Sequence, residues 1–302
     1  MMKATQYILL SLWGIGALSC SQPESHTPLI QAHRGGAAIY PENTIPAMLY
    51  AVELGIPVLE MDMHISKDSM VVASHDAYLN PLKALTPEGD TLALGDKSHT
   101  LYSMPYDSIR RYDVGTRSNP YFPDKRSIRC EVPLISDLID SVETYVKQKG
   151  LPPVSYNIEI KSSRKKDGVL SPDYKTFTDL CMKVLLSKNL GDRLLVQSFD
   201  TDGLDYLHEK YPDVRVSYVT ESKGKSFEEL MSLIHFTPQV FSPESSMVTP
   251  ELVKKVHAMG MQLVPWTVDN KEETLRLKAL HVDQIITNKP DSMQIWLSTI
   301  AQ

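Results

Sequence analysis

From residue 29 onward, short runs of β-branched and other apolar residues alternate with longer segments whose apolar positions recur at helical spacing. The short runs predict strands, and the recurrence at i, i+3 and i+4 predicts amphipathic helices. The predicted strands are 29–32, 58–63, 70–74, 155–160, 194–198, 214–219, 239–241, 262–267 and 284–287. The predicted helices are 44–54, 173–188, 201–210, 227–234, 250–259 and 271–280. This alternation is typical of a mainly parallel sheet covered by helices.

The alternation is interrupted at two places. Too few residues separate Met63 from Met70 for a β-α-β crossover, which needs about a dozen or more. Residues 76–132 show little periodicity, and we interpret them as a small insertion after the third strand, over the barrel mouth. The sequence therefore predicts an α/β fold, an irregular (β/α)8 TIM-type barrel over residues 29–291 with a C-terminal tail at 292–302. An open doubly wound sheet is the competing arrangement.

Composition and charge narrow the function classes. The 302 residues are 42% hydrophobic, which is enough for one barrel-sized domain or two smaller ones. The net charge is -6 and the Lys and Arg residues are scattered, so the sequence predicts no basic patch that could bind nucleic acid. We therefore expect no nucleic-acid partner. Cys130 and Cys181 do not have metal-ligand spacing, and we interpret both as structural or incidental.

The N-terminus has the pattern of an export signal. It begins Met-Met-Lys, continues with an apolar run over 7–18 and reaches Cys20 before a polar stretch. The run is too short to span a membrane as a mature helix. The residues before Cys20 resemble a bacterial lipoprotein cleavage box, although Leu18 is one position late. We therefore predict a signal peptide (1–20), a linker (21–28) and either a soluble periplasmic protein or one anchored through lipid on Cys20.

The first chemical motif is the run His33-Arg34-Gly35-Gly36 at the end of a predicted strand. A histidine and an arginine at the carboxyl end of a barrel strand, beside glycines that permit close approach, suit an anion site. The segment 41–44, Pro-Glu-Asn-Thr, follows at a helix start. Asn43 is expected to cap that helix.

The second motif is a pair of carboxylates. Glu60 and Asp62 are two residues apart in a strand, so they share one face, where their repulsion is costly without a cation. In the strand 155–160, Asn157, Glu159 and Lys161 share a face in the same way. The sequence thus predicts three convergent carboxylates for a hard metal ion and one lysine for a phosphate.

The third motif is Ser74-His75-Asp76, again at a strand end. His33 and His75 suit a general base and a general acid, because imidazole titrates near neutral pH. A histidine-rich zinc site is the rival, but three carboxylates favour Ca²⁺ or Mg²⁺. Asp76 and Glu42 are each either a ligand or a local structural group. The remaining histidines show no pairing by spacing and are expected at the surface or satisfied: His64, His99, His208, His235, His257 and His281.

Taken in order, these motifs resemble the glycerophosphodiester phosphodiesterase family, in the PLC-like phosphodiesterase superfamily. The family pattern H-R-G, P-E-N-T, E-x-D, K-D-(G)-x-x-V-x-x-H-D and I-E-x-K is similar to segments 33–35, 41–44, 60–62, 67–76 and 158–161. Segments 130–135, 197–199, 266–268 and 283–290 also look like the family. Ser69 stands where the family often has Gly, and Asn288 where Asp is common. We expect neither to touch the proposed ligands.

The resemblance implies metal-dependent hydrolysis of a small glycerophosphodiester to sn-glycerol 3-phosphate and an alcohol. It gives His33 and His75 the acid/base roles, and metal ligation to Glu60, Asp62 and Glu159. It gives phosphate or substrate binding to Arg34, Lys161 and Trp266, with Glu42 as a secondary residue near the metal. Whether a cyclic phosphate forms first stays open. A phospholipase D-like enzyme on intact lipids and a non-catalytic binding lipoprotein are the alternatives.

Overall fold

The computed structural model describes residues 26–298, so the predicted signal peptide and Cys20 lie outside the described residues. The strands are β1 (Leu29–Ala32), β2 (Val58–Ile65), β3 (Val71–Ala73), β4 (Ser155–Ile160), β5 (Leu194–Ser198), β6 (Arg215–Thr220), β7 (Val240–Pro243), β8 (Gln262–Leu263) and β9 (Gln284–Thr287). The helices are α1 (Ile45–Glu53), α2 (Tyr106–Ile109), α3 (Ile135–Lys149), α4 (Tyr174–Ser187), α5 (Thr201–Lys210), α6 (Phe227–Met231), α7 (Pro250–Ala258), α8 (Lys271–Ala279) and α9 (Pro290–Ser298).

Eight of the strands form a nearly closed parallel barrel. Their order is β8-β7-β6-β5-β4-β2-β1-β9, and every pair along it is parallel. Backbone hydrogen bonds join the two ends, because Asp283 N donates to Leu263 O (3.1 Å) and Ile286 N donates to Pro265 O (3.0 Å). The predicted TIM-type barrel is confirmed, and the open doubly wound sheet is wrong because its two edge strands would lie apart.

The predicted irregularity is an antiparallel hairpin. β3 pairs with β2 in antiparallel register, with Met63 opposite Ala73, and adds a ninth strand outside the barrel path. A short turn joins the two strands, and Ser69 lies within it at φ 62°, the left-handed region that favours glycine. A hairpin needs only a short connection, so the few residues between Met63 and Met70 are sufficient.

Helix α1 begins at a cap different from the expected one. The Thr44 hydroxyl accepts a hydrogen bond from Ala47 N, and Pro46 lies in the first turn, so Thr44 is the N-cap. The expectation that Asn43 caps this helix is wrong. Asn43 has φ 57°, and its amide donates to the buried Asp62 carboxylate instead.

The main apolar core lies between the barrel and its helices, while much of the barrel interior is polar. Asn157 Nδ2 donates to both Gln31 Oε1 (2.8 Å) and Gln197 Oε1 (2.9 Å), and Gln31 donates to Gln284 (2.8 Å). All four of these side chains are buried. These side chains therefore form one connected hydrogen-bond network inside the barrel, in which Asn157 Oδ1 has no partner among residues 26–298.

The segment 76–132 packs around a small apolar core of its own. Its members come from the segment and from β3, and they are Val72, Leu79, Ala84, Leu92, Leu101, Tyr106, Ile109 and Val132. The segment lies over the carboxyl ends of the strands and forms one wall of a cleft there. At the other end of the chain, α9 buries Met293 and Leu297 against the barrel. Among residues 26–298, no helix is long and apolar enough to cross a membrane.

Candidate active site

Three carboxylates meet at the carboxyl ends of β2 and β4. The register of these strands sets Asp62 opposite Glu159, and Glu60 lies two residues before Asp62 on the same face. One oxygen of each residue lies within 4.8 Å of the others, and all three side chains are buried. The structure therefore brings together the three residues that the sequence proposed as metal ligands.

The charges of this cluster are incompletely balanced by protein groups. Burial, Asp62 and Glu159 raise the pKa of Glu60 well above its usual value, and burial also raises the pKa of Glu159. Burial opposes ionisation of Asp62, but Lys161 (3.5 Å) and Arg34 (3.4 Å) together lower the pKa of Asp62. Among the described residues, Asp62 Oδ1 has no hydrogen-bond partner. A divalent cation with oxygen ligands would satisfy that atom and the excess negative charge.

Two amide side chains hold these carboxylates in place. Asn43 Nδ2 donates to Asp62 Oδ2 (2.8 Å), and Asp62 N donates back to Asn43 Oδ1 (3.1 Å). Gln197 Nε2 donates to Glu60 Oε1 (2.8 Å), while the backbone N of Arg34 donates to Glu60 Oε2 (2.9 Å). Neither amide was predicted from the sequence as a site residue, although each lies in a segment that resembles the family pattern.

His33 and Arg34 lie on a tight turn after β1. Arg34 (φ 52°) and Gly35 (φ 81°) both take left-handed conformations, and a Cβ on Gly35 would come within 2.7 Å of the α1 backbone. His33 Nε2 lies 3.9 Å from Glu60 Oε2, and His33 Nδ1 lies 2.7 Å from Asn288 Oδ1. Burial and Arg34 lower the pKa of His33 to about 3, so its ring is neutral at neutral pH. Asn288 touches no carboxylate of the cluster but does contact this histidine.

His75 is held from the insertion side. Its Nδ1 lies 3.2 Å from Asp76 Oδ1, and Lys83 Nζ donates to Asp76 Oδ2 (3.1 Å) and to Glu42 Oε1 (2.7 Å). Glu42 also accepts from Arg34 Nη1 (3.2 Å). Asp76 and Glu42 therefore lie outside the three-carboxylate cluster; Asp76 contacts His75, and Glu42 contacts Arg34, the proposed phosphate-binding residue. Lys83, which joins them, was not identified from the sequence.

The remaining predicted binding residues lie at the β4 and β8 side of the mouth. Lys161 Nζ contacts Glu159 Oε1 at 2.9 Å, so this lysine belongs to the carboxylate cluster. Trp266 donates its indole N–H to Ser242 O (3.0 Å) and packs edge-on against Phe199. The Trp266 ring therefore offers a substrate only apolar contact.

One further histidine is more buried than the sequence indicated. His64 is 2% exposed, and its Nε2 lies 3.2 Å from the backbone O of His75. Burial and Lys161 lower the pKa of His64 to about 3. Within the described residues its Nδ1 has no hydrogen-bond partner. His64 is thus a buried neutral histidine with one of its two ring nitrogens hydrogen-bonded, rather than a surface residue or a fully satisfied one.

The catalytic candidates and the insertion line one cleft of about 710 Å³. One wall carries His33, Arg34 and His75 from the barrel. The facing wall comes from the insertion and includes Tyr78, Asn119, Tyr121 and Phe122. The cleft is large enough for a small organic ligand with its reacting centre at the barrel mouth.

Most of the chain matches a known protein family. The model of the glycerophosphoryl diester phosphodiesterase family matches residues 33–292. The chain is 27% identical to a glycerophosphodiester phosphodiesterase of Caldanaerobacter subterraneus over 88% of this chain and 96% of that protein. A second such enzyme, from Bacillus subtilis, is 25% identical over 87% and 84% of the two chains.

Two solved structures show the same fold. A Silicibacter pomeroyi protein named for glycerophosphoryl diester phosphodiesterase activity superposes with a TM-score of 0.79 at 25% identity, over 90% of this chain and 93% of that chain. An Oleispira antarctica phosphodiesterase, solved with the product sn-glycerol-3-phosphate, superposes with a TM-score of 0.70 at 20% identity, over 91% and 98%.

Proposed function

We propose, from the premise that this chain belongs to the glycerophosphoryl diester phosphodiesterase family, that it uses a divalent metal ion and two histidines to hydrolyse glycerophosphodiesters. The chain is an enzyme of this family, a phosphoric diester hydrolase. The products would be sn-glycerol 3-phosphate and an alcohol. The observation that carries the metal and histidine roles is a buried carboxylate cluster with His33 beside it, at the mouth of the cleft.

The metal proposal rests on the donor set. Glu60, Asp62 and Glu159 offer only carboxylate oxygens, which suit Ca²⁺ or Mg²⁺ better than zinc. Among residues 26–298, Asp62 Oδ1 accepts no hydrogen bond and has only the 3.5 Å ion pair with Lys161. This atom and the raised pKa values of Glu60 and Glu159 fit a site that lacks a positive charge. When bound, the ion would stabilise negative charge on the phosphorus oxygens.

The two histidines take different roles because their partners differ. His33 is neutral and has Nε2 available at the cluster, so it would accept the proton of the attacking hydroxyl. His75 has the Asp76 carboxylate at its Nδ1, which orients the ring and leaves Nε2 for the substrate, so it would donate a proton to the leaving alcohol. Arg34 and Lys161 would bind the phosphoryl oxygens and stabilise their charge.

The substrate would be a small, soluble diester that binds with its phosphorus at the carboxylate cluster and its alcohol group in the cleft. Relatives carry glycerophosphodiester phosphodiesterase names, and the Oleispira neighbour holds sn-glycerol-3-phosphate. An intact lipid is the second candidate, because the exposed side chains of Leu94 and Tyr121 line the same cleft. A relative from Rattus norvegicus, 25% identical over 89% of this chain and 86% of its own length, is named lysophospholipase D.

We also propose that the protein is exported and held to a membrane through Cys20. His26 Nε2 lies 3.0 Å from Val282 O, near the amino-terminal end of β9 and opposite the cleft. The few residues from Cys20 to His26 reach at most about 20 Å. An anchor there would turn the cleft away from its own membrane, which supports a soluble substrate over a lipid in that bilayer. Labelling with a radioactive fatty acid, lost in Cys20→Ser, would test the anchor.

The function is tested by coupled release of glycerol 3-phosphate from glycerophosphocholine, glycerophosphoethanolamine and glycerophosphoglycerol, with and without chelator. Choline release from lysophosphatidylcholine and phosphatidylcholine tests the lipid alternative. His33→Ala should lower kcat by about 10²- to 10⁴-fold. His235→Ala is the matched control, because His235 also pairs with a carboxylate but is 84% exposed. Full activity in chelator or in His33→Ala would contradict the mechanism.

A further inference from the structure

Behind His33, on the side away from the carboxylate cluster, a short chain of hydrogen bonds leads to Asp269. His33 Nδ1 lies 2.7 Å from Asn288 Oδ1, and Asn288 Nδ2 donates to Asp269 Oδ2 (2.7 Å). Asn288 follows β9 and is buried, at 8% exposure. The three residues come from two strand ends and the loop before α8, so only the closed barrel brings them together.

Both oxygens of the Asp269 carboxylate accept hydrogen bonds from residues 287 and 288. Its Oδ1 accepts from Asn288 N (2.8 Å) and from the Thr287 hydroxyl (3.1 Å), while its Oδ2 accepts from the Asn288 amide. Across the described residues, Asp269 has no ion pair with a cation. Its three hydrogen bonds all go to residues 287 and 288, so its contacts serve to place this short segment.

The carboxylate determines which way the Asn288 amide points. A carboxylate only accepts hydrogen bonds, so the atom of Asn288 that faces Asp269 at 2.7 Å must be the amide nitrogen. The flipped amide would set two oxygens against each other at that distance. Asn288 Oδ1 is therefore turned toward His33, and since it too only accepts, His33 Nδ1 must carry the hydrogen.

We propose that Asp269 and Asn288 are a positioning pair that fixes both the ring orientation and the Nδ1–H tautomer of His33. The consequence is a lone pair on Nε2, the nitrogen nearest the cluster. The inference rests on the proposed function, in which that lone pair accepts a proton. An aspartate at position 288 would accept in either orientation, whereas the asparagine amide needs Asp269 to orient it.

The pairing can be tested by exchanging the two side chains. Asn288→Asp keeps an acceptor for His33 but sets a second carboxylate against Asp269, so the two repel. The double variant Asn288→Asp/Asp269→Asn restores one amide and one carboxylate in exchanged places. Asn288→Leu removes the acceptor altogether. Asn270→Asp is the matched control, because it makes the same change at the adjacent N-cap of α8, where Asp also caps well.

The first measurement is the ¹⁵N spectrum of the histidine rings in the purified protein, which reports the tautomer without turnover. Wild type should show His33 with hydrogen on Nδ1, and Asn288→Leu should lose that signature. Kinetically, kcat should fall by about 10²-fold in Asn288→Leu with little change in KM, as expected for a misplaced base. Asn288→Asp should fall as well, the double variant should recover at least tenfold over it, and Asn270→Asp should match wild type.

Three results would overturn the pair: hydrogen on Nε2 of His33 in the wild type, an unchanged tautomer and kcat in Asn288→Leu, or no recovery in the double variant. The first result is measured on the wild type, so the proposal can be refuted even if the substituted chains fold poorly. A wild type that shows the Nδ1–H signature but hydrolyses no diester would instead refute the proposed function and leave the positioning pair standing.

Discussion

Replacing Glu159 by glutamine should remove metal binding while it leaves the stability of the metal-free protein nearly unchanged. Glu159 is buried, and the only hydrogen bond or ion pair found for its side chain among residues 26–298 is the contact of Oε1 with Lys161 Nζ at 2.9 Å. Glutamine has the same shape and can still accept from Lys161 through its amide oxygen. The change therefore removes one negative charge and one metal oxygen with little rearrangement.

The charge effects on the metal-free protein nearly cancel. With an effective dielectric constant of about 20, each repulsion between Glu159 and a neighbouring carboxylate at up to 4.8 Å costs about 3.5 kcal/mol or more. Attraction to Lys161 at 2.9 Å contributes about 6 kcal/mol on the same scale. Above the raised pKa of Glu60, where all three carboxylates are ionised, two repulsions and one attraction offset each other, so Glu159→Gln should unfold within about 1 kcal/mol of wild type in chelator at such pH.

Adding metal should distinguish the two proteins. A ligand at one hundred times its Kd stabilises the folded state by about 2.7 kcal/mol, which for a chain of this size raises Tm by about 5 °C. We expect this rise for wild type with Ca²⁺ or Mg²⁺ and its loss in Glu159→Gln, measured by calorimetry. Asp140→Asn is the control, because Asp140 also pairs with a lysine, Lys188, but lies outside the site. A full metal-induced rise in Glu159→Gln would refute the three-carboxylate metal site.

Three further outcomes are expected. Because the pKa of Glu60 is raised, protons compete with the metal, so metal affinity should weaken as pH falls and binding should release protons into the buffer, as read by titration calorimetry. His64 has a folded pKa of about 3 against an unfolded value of 6.5, so below pH 6.5 the unfolded state binds the proton first and stability falls toward pH 3; His64→Gln should flatten that slope in urea unfolding. Lys83→Met leaves Glu42 and Asp76 without their shared cation and should lower the free energy of unfolding by about 3 kcal/mol, with partial recovery in Lys83→Arg.

Much of the fold follows from local pattern. Strands β1, β4, β5 and β9 have the predicted bounds, because short apolar runs between turn residues leave little choice of register or length. The last predicted strand before β9 is shorter than expected, ending at Leu263 rather than at 267, although the chain beyond it still hydrogen-bonds to β9. The close spacing of Met63 and Met70 was enough to predict the break in the β/α alternation, since chain length alone excludes a crossover there.

Part of the site also follows from local pattern. The period of two along a strand placed Glu60 on the same face as Asp62, and Glu159 on the same face as Lys161. Parallel strands carry such residues to the same end of a barrel. The partners of these residues were not predictable in this way. Gln197 reaches Glu60 from 137 residues away, and Lys83 reaches Glu42 from an insertion that has little periodicity.

The sequence by itself therefore determined the kinds of chemical groups at the site, the strand ends that carry them and the barrel that supports them. These features depend on local spacing and chain length. The tertiary structure alone decided that Asn43 holds Asp62 rather than capping a helix, and that Asn288 faces His33. Such contacts depend on closure of the barrel, which joins β1 to β9 across 255 residues of sequence, and no local pattern specifies them.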